Sequence, residues 1–171
     1  MSDVVLLMTA SIDGFVDAPD GHAGGLAEPN ELQRRQPDRV RRAGRHNMGR
    51  VNYLQMAPVW PTATGDYATP ESTIAGGNLA DEGRSAPDQS GGEITAWGGA
   101  ASYRPSPGSE QLINQYVVIT RPVAYGGAPI FHDFPDALHL ELVYSTTSRR
   151  GTMLGAFEPP GRRHEADREH R

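Results

Sequence analysis

The sequence predicts an α/β domain built on a mixed β-sheet. The first observation is a continuous apolar run near the start, Val4–Thr9, which is typical of a strand covered on both faces. The second is a set of β-branched and alternating runs in the last third of the chain, which is typical of antiparallel strands. Helical patterns and one short strand pattern lie between them. This order of elements favours helices packed on a mixed sheet.

The first half of the chain contains that one clear strand and two predicted helices. After the strand, Asp13 and Gly14 predict a turn. Glu28–Arg42 is predicted to form a polar helix that an internal proline breaks or restarts, and Arg50–Ala57 a second, shorter helix. Pro61–Gly92 carries almost no periodic signal, so it is predicted to form a loop that is long for a compact domain.

The second half contains the remaining predicted strands. Glu93–Trp97 is a short strand, and the prolines that follow it leave one helical turn at Gln111–Gln115. Tyr116–Thr120 is β-branched and aromatic, and Leu138–Tyr144 alternates apolar with polar residues. Thr152–Phe157 is predicted to close a hairpin with the strand before it.

Length and composition limit the classes of protein that fit. The 171 residues make one domain, which we predict over residues 1–158, followed by a charged, proline-led tail over residues 159–171 that we expect to be disordered. The chain has no Cys, which excludes a disulfide scaffold and thiolate catalysis. All sixteen basic residues are Arg, which excludes Schiff-base and Walker-type lysine chemistry.

Charge and hydropathy bear on partners and location. The net charge of −5 disfavours a nucleic-acid partner, because nucleic-acid surfaces of proteins normally carry excess positive charge. The apolar run at the start is too short for a membrane span and no basic region precedes it, so a cytoplasmic location is expected. The six histidines show no metal-ligand spacing, and no metal site is predicted.

Three motifs follow one another along the chain. They are Thr-Ala-Ser-Ile-Asp-Gly-Phe at residues 9–15, Met-Gly-Arg-Val-Asn-Tyr at 48–53, and Ile-Thr-Ala-Trp-Gly-Gly-Ala at 94–100, the last trailed by Arg-Pro-Val-Ala-Tyr-Gly-Gly at 121–127. In this order and spacing the chain resembles the C-terminal reductase domain of the bacterial bifunctional deaminase-reductase of riboflavin synthesis. It is more similar still to the small stand-alone members of that superfamily, over about Val4 to Phe157.

The resemblance implies a fold and an activity. The fold is a dihydrofolate reductase-like three-layer sandwich with a mixed, mostly parallel central sheet and an antiparallel C-terminal hairpin. The activity is NADPH-dependent reduction of a small pterin- or pyrimidine-like substrate, related to that of 5-amino-6-(5-phosphoribosylamino)uracil reductase. The resemblance also implies a homodimer formed through late strands, for which Tyr116–Val123 is hydrophobic enough.

The third motif fits a phosphate cradle. A glycine pair at the end of a strand lets the backbone approach a pyrophosphate closely, and a helix that begins there presents free N–H groups to it. The resemblance assigns this cofactor-binding role to five consecutive residues. They are Gly98, Gly99, Ala100, Ala101 and Ser102.

The other two motifs supply the remaining candidate residues. By resemblance, Gly49, Arg50 and Val51 hold NADPH from the other side, where the planar guanidinium suits a phosphate. By the same resemblance, Asp13 and Gly14 lie near the nicotinamide and the substrate. Gly14 is a candidate cofactor-binding residue, and Asp13 is the candidate catalytic residue. For the proton that must reach the reduced centre, Asp13, Glu31 and an ordered water remain alternative sources.

The sequence also departs from the family pattern. Tyr67–Gly92 lacks the apolar run of a strand that helps to bind the adenosine phosphate, which indicates a missing strand. Arg41–Asn47 is too polar to predict a buried strand before the second motif. Asn114 and Gln115 replace an acidic pair, and Leu54 stands where the family has Glu.

These departures leave two functions open. One is the NADPH-dependent reductase. The other is a non-catalytic or degenerate member of the fold that binds a ligand or a partner without turnover. The sequence therefore leaves it open whether the chain is an enzyme, and it does not name the substrate or decide between NADPH and NADH.

Overall fold

The computed structural model describes residues 3–16, 43–48, 54, 73–76, 93–97, 113–131 and 137–161. Within these residues the chain forms a single seven-stranded sheet. Its strands are β1 (Val4–Ser11), β2 (Ala43–Met48), β3 (Thr73–Gly76), β4 (Glu93–Trp97), β5 (Gln115–Arg121), β6 (Glu141–Thr147) and β7 (Met153–Glu158). They lie in the order β3-β2-β4-β1-β5-β7-β6.

The pairing directions confirm the predicted fold class. β3, β2, β4, β1 and β5 run parallel to one another, whereas β7 is antiparallel to β5 and β6 is antiparallel to β7. The result is a mixed, mostly parallel sheet with an antiparallel C-terminal hairpin. The predicted helix Glu28–Arg42 lies outside the described residues. Of the predicted helix Arg50–Ala57 only Leu54 is described, and it is helical and exposed.

β1 is the centre of the hydrophobic core. Its side chains alternate between two clusters on opposite faces of the sheet, as expected for an apolar run covered on both sides. One cluster comprises Val5, Leu7, Val117, Ile119, Leu154 and Ala156. The other comprises Leu6, Met8, Ile113 and Tyr116, with Phe157, Leu138 and Leu140 among the residues packed against it. Burial of each large apolar side chain stabilises the fold by roughly 1.5–3 kcal/mol.

The hairpin lies slightly later in the chain than predicted. Leu138 and Leu140 carry the alternating pattern of the predicted strand Leu138–Tyr144, but they pack against the core before β6 begins at Glu141. The turn after β6 is closed by the N–H of Gly151, which donates to the carbonyl of Ser148 (3.0 Å). Gly151 has φ +80°, which explains the glycine at this position.

The prediction of a missing strand was wrong. Thr73–Gly76 forms β3 within the region that lacks an apolar run, and it pairs in parallel with β2. β2 in turn occupies the polar segment before Met48, which the sequence did not predict as a strand. Both strands are held by backbone pairing, which needs no apolar side chains. His46 of β2 is fully buried.

The predicted helical turn at Gln111–Gln115 was also wrong over its described part. Gln115 already belongs to β5, and Asn114 leads into it in a non-helical conformation. The backbone N–H of Asn114 donates to the carbonyl of Val4 (2.8 Å), and its side-chain Oδ1 accepts from the N–H of Val4 (2.9 Å). Asn114 therefore fastens the start of β5 to the start of β1.

Tyr116–Val123 does not offer the dimer surface that its hydrophobicity suggested. β5 lies between β1 and β7, and Tyr116, Val117 and Ile119 are buried within the chain's own core. Four of the exposed large apolar side chains lie instead on the hairpin, at Leu142, Val143, Tyr144 and Met153, whereas Ile12, Leu54 and Phe131 are exposed elsewhere. Of the predicted tail, residues 162–171 lie outside the described residues. Among the described residues there is no helix with the length and hydropathy of a membrane span.

The hairpin contains a glycine that packing requires. A Cβ on Gly155 would lie 2.6 Å from Cε2 and 2.8 Å from Cζ of Phe157, whose ring packs against the core. We therefore predict that Gly155→Ala lowers the free energy of unfolding by about 1–3 kcal/mol, measured by urea denaturation. In a Phe157→Leu background the same substitution is expected to cost clearly less, because the colliding ring atoms are gone. An equal loss in both backgrounds would contradict this explanation.

Candidate functional site

The sheet has a step at its carboxyl edge. β1 pairs with β4 only from Val4 to Leu7, where Leu7 is opposite Trp97. On its other side β1 pairs with β5 as far as Ser11. Its last four residues, Met8–Ser11, therefore extend about 13 Å beyond the end of β4. No described residue pairs with them on that side, and we call this place the notch.

The notch lies where the chain changes direction across the sheet. β1 is followed in sequence by β2, to one side of it, whereas its neighbour β4 is followed by β5, on the other side. Open α/β sheets bind ligands at the carboxyl ends of strands at such a switch point. The notch is therefore the first place to expect a ligand.

Two predicted cofactor-binding segments leave from neighbouring strand ends beside the notch. Met48, the last residue of β2, is the register partner of Trp97, the last residue of β4. Gly49–Val51 follows Met48 in the chain and Gly98–Ser102 follows Trp97. Both segments lie outside the described residues, so their cofactor-binding roles remain predictions.

The loops after β1 and β5 are joined by backbone hydrogen bonds. The N–H of Ile12 donates to the carbonyl of Val123 (2.9 Å), and the N–H of Val16 donates to the carbonyl of Ala128 (2.8 Å). In the reverse direction, the N–H of Ile130 donates to the carbonyl of Gly14 (2.7 Å). The two loops thus form one connected wall above the carboxyl ends of β1 and β5.

A tight turn places Asp13 in this wall. The Ser11 hydroxyl donates to Oδ1 of Asp13 (2.5 Å) and accepts from the N–H of Phe15 (3.0 Å). Gly14 has φ +83°, a conformation that L side chains rarely adopt, and a Cβ there would meet no atom within 4 Å. The glycine thus serves the turn and leaves space beside it.

The Asp13 carboxylate fastens the second loop to the first. Its Oδ2 accepts from the backbone N–H groups of Tyr125 (3.1 Å) and Gly126 (3.0 Å). The hydrogen bond from the Ser11 hydroxyl, followed by those from the two backbone N–H groups, lowers the pKa of Asp13 below its ordinary value. At neutral pH the group is ionised, so this arrangement gives it a positioning role. Its catalytic role as a proton source stays a prediction.

Asn114 and Gln115 lie at the opposite end of the sheet from the notch. Gln115 begins β5 and donates to Oε1 of Glu158 (3.0 Å), whereas Arg121 ends β5 at the carboxyl edge. Six residue-to-residue steps along the extended strand separate them, which is about 20 Å. The replacement of an acidic pair by these amides therefore lies far from the candidate site.

Sequence reasoning missed two residues that belong to this edge. Arg121 is the register partner of Ser11, and Tyr125 follows it in the loop that Asp13 holds. The signal available in the sequence was their position in the run that trails the third motif. Within the described residues, no three His, Asp or Glu side chains lie together as metal ligands would.

The fold is shared with solved structures of low sequence identity. A putative riboflavin biosynthesis protein from Shewanella sp. PV-4 superposes with a TM-score of 0.68 at 19% identity, covering 92% of this chain and 98% of that one. A pyrimidine reductase-like protein from Corynebacterium diphtheriae gives 0.62 at 12% identity, covering 92% of each chain.

A longer protein contains the same fold as one part. The diaminohydroxyphosphoribosylaminopyrimidine deaminase/5-amino-6-(5-phosphoribosylamino)uracil reductase from Thermotoga maritima gives a TM-score of 0.67 at 10% identity, covering 92% of this chain and 56% of that one. The chain thus spans about half the length of that protein. No protein-family model and no curated protein matches the sequence. At these identities the comparisons show the fold alone.

The Asp13 clamp predicts a pH-dependent loop. Because the folded-state pKa is lowered, the stability that the ionised carboxylate contributes is fully present above its unfolded value near 3.8 and is lost as the pH falls through the folded value. We expect the amide proton signals of Tyr125 and Gly126 to shift together in NMR spectra within that acidic window.

Asp13→Asn should abolish this shared titration and speed amide exchange in the loop at neutral pH. Glu141→Gln, which neutralises an exposed carboxylate on β6, is the matched control and should leave both signals unchanged. Amide signals that titrate identically in Asp13→Asn would contradict the assignment of the clamp.

Proposed function

We propose that the chain is an NADPH-dependent reductase of a small pterin- or pyrimidine-like substrate. The observation that carries the proposal is the notch, a step in the sheet at a switch point with two glycine-containing segments directly after the adjoining strand ends. Reductase names among proteins of the same fold support the choice of reaction, since they include a pyrimidine reductase-like protein and a uracil reductase.

The part of β1 that no described strand pairs with on the β4 side fits an extended, polar ligand. Met8–Ser11 offers backbone N–H and C=O groups toward the notch that no described strand uses. Gly14 leaves space at the end of that edge, so a flat ring can approach the backbone there. This geometry suits the nicotinamide end of a dinucleotide, with the substrate beyond it.

The residues of this chain would bind, orient and exclude water. Gly98–Ser102 and Gly49–Val51 would hold the phosphates from neighbouring strand ends, with Arg50 supplying a bidentate partner. When bound, NADPH supplies the hydride. The joined loops after β1 and β5 would close over the reacting rings, with Asp13 fixing the loop that carries Tyr125.

The second candidate is a non-catalytic member of the fold that binds a ligand or a partner. The observation that favours it is the commitment of Asp13, which accepts one hydroxyl and two backbone N–H groups and is held ionised. A carboxylate in that state is a poor proton source. In this reading the notch still binds a ligand, but no turnover follows.

Titration with NADPH tests the cofactor. We expect a saturable change in tryptophan fluorescence, since Trp97 ends β4 beside the predicted cradle, and a melting temperature that rises with NADPH. Gly99→Val and Arg50→Gln should each weaken binding about tenfold or more, because one blocks the phosphate approach and the other removes a charge-assisted pair. Arg149→Gln, in the exposed hairpin turn, is the control.

The outcomes separate the two functions. Absence of any fluorescence or melting response at millimolar NADPH would refute a dinucleotide-dependent reductase. NADPH binding without consumption of NADPH in the presence of pyrimidine or pterin acceptors would favour the non-catalytic candidate. The cytoplasmic location inferred from the sequence remains a prediction.

We further propose that the partner is a second copy of the chain, docked on the hairpin. β6 is an edge strand of the described sheet, and Leu142, Val143, Tyr144 and Met153 expose 42–58% of their surface there. Antiparallel pairing of two β6 strands would bring Glu141, at the start of each, toward the basic turn that follows the other. Exposed edges with apolar side chains favour such pairing.

This dimer is testable by sedimentation. We expect a concentration-dependent monomer–dimer equilibrium that Leu142→Glu and Tyr144→Glu shift toward monomer by about tenfold or more, because each places a charge in an apolar contact. Ala137→Glu adds the same charge at an exposed position before β6 and is the control. If neither hairpin substitution changes the average mass measured by sedimentation, this surface is ruled out.

A further inference from the structure

Two buried polar atoms at the carboxyl edge lack a partner. Nη1 of Arg121 and the hydroxyl oxygen of Tyr125 are both shielded from solvent, and neither has a hydrogen-bond partner among the described residues. A guanidinium keeps its charge at every pH at which proteins fold, so its N–H groups always need acceptors. Unsatisfied buried groups are rare in native structures, and they often mark a place where an ion, a water or a ligand binds.

The acidic group of the same wall is not the counterion of Arg121. Asp13 uses both of its carboxylate oxygens on other donors: the Ser11 hydroxyl and the backbone N–H groups of Tyr125 and Gly126. Arg121 nevertheless lies beside this turn, because it is the register partner of Ser11 and register partners share a face of the sheet. Nη1 of Arg121 is therefore placed at this edge without an acceptor among the described residues.

The loop that carries both groups is already in place. The N–H of Val123 donates to the carbonyl of Arg121 (2.8 Å), which turns the chain directly after β5. Ile12 and Asp13 then hold the loop to β1 through hydrogen bonds at Val123 and Tyr125. A donor set fixed in this way loses little conformational entropy when an anion binds.

We propose that Arg121 and Tyr125 form a subsite for an anionic group of the ligand, either a phosphate or a carboxylate. The planar guanidinium fork matches both groups, and the Tyr125 hydroxyl, four residues further along the chain, would supply a third donor. The inference rests on the proposed function, in that it takes the carboxyl edge around the notch as the ligand site.

Strand order decides which part of the ligand carries the anion. The predicted cofactor segments follow β2 and β4, whereas Arg121 ends β5, on the far side of β1. At about 4.8 Å between neighbouring strands, Arg121 is about 10 Å from the end of β4 and about 14 Å from the end of β2 in this direction. The anionic group therefore belongs to the substrate, beyond the nicotinamide.

Inorganic phosphate and acetate are suitable probes. Each is titrated into the whole protein at constant ionic strength set with chloride, and binding is followed by the melting temperature and by the amide signals of Tyr125 and Gly126. We expect saturable binding of at least one of the two anions. Arg121→Met should weaken it about tenfold or more, Tyr125→Phe by a smaller factor, and Arg121→Lys should restore part of the loss.

The melting temperature without added anion provides an independent measurement. Because Nη1 of Arg121 is buried without an acceptor among the described residues, Arg121→Met is expected to melt at or slightly above the wild-type temperature in chloride. A strongly destabilised Arg121→Met would reveal a structural partner and overturn the proposal. Arg149→Gln, an arginine of the exposed hairpin turn, controls for loss of net charge and should bind phosphate like the wild type.

Competition with NADPH separates this subsite from the proposed function. We expect saturating phosphate to leave NADPH affinity unchanged, which assigns the anion to the substrate, whereas displacement would assign it to the cofactor. If the protein binds phosphate through Arg121 but does not bind NADPH, the reductase proposal fails and the subsite stands. If neither anion binds in a way that depends on Arg121, the subsite is refuted.

Discussion

The rest of the structure depends on one constraint, which is that β1 is buried on both faces and paired on both edges. Its side chains alternate between two hydrophobic clusters, while its backbone pairs with β4 on one side and β5 on the other. A strand in this position tolerates no polar residue until it leaves the core. The first polar side chains, at Thr9 and Ser11, accordingly mark the approach to the carboxyl edge.

The same strand determines the shape of the candidate site, because it is longer than its neighbour. β4 ends opposite Leu7, whereas β5 follows β1 as far as Ser11. The unequal ends leave a backbone edge on one side and a pair of joined loops on the other. Asp13 connects the two parts, since it lies directly after β1 and holds the loop after β5 by hydrogen bonds to backbone N–H groups. The extra length of β1 thus places Asp13 at the carboxyl edge, where its carboxylate binds the loop after β5.

The sequence predicted the parts of this fold that depend on apolar side chains and missed those that depend on backbone pairing. β1, β5 and β7 were found within one or two residues because their side chains fill the core. β4 has the predicted bounds, Glu93–Trp97. β2 and β3 carry no such signal, since their order comes from hydrogen bonds that any residue forms. The start of β6 was predicted too early for the opposite reason. Leu138 and Leu140 pack against the core, but they precede the strand, which begins at Glu141.

A similar division holds for the candidate site. The turn at Asp13 and Gly14 was predictable because a local pair of residue types favours it. Its contacts with Tyr125 and Gly126 were not, since they join residues more than a hundred positions apart. Arg121 drew no attention as one arginine among sixteen, and only its register with Ser11 gives it a location.

The departures from the family pattern differ in how close they lie to the candidate site. Leu54, in place of an acidic residue, is exposed, and Asn114 and Gln115 lie about 20 Å along β5 from the notch. The strand that was thought to be missing exists as β3, at the edge of the sheet beyond β2. Asn114 binds the start of β1, at the end of that strand opposite to Asp13 and the joined loops. In the proposed reductase, the segments after β2 and β4 would supply the phosphate contacts of the cofactor, whereas Arg121 at the end of β5 would bind the anionic group of the substrate.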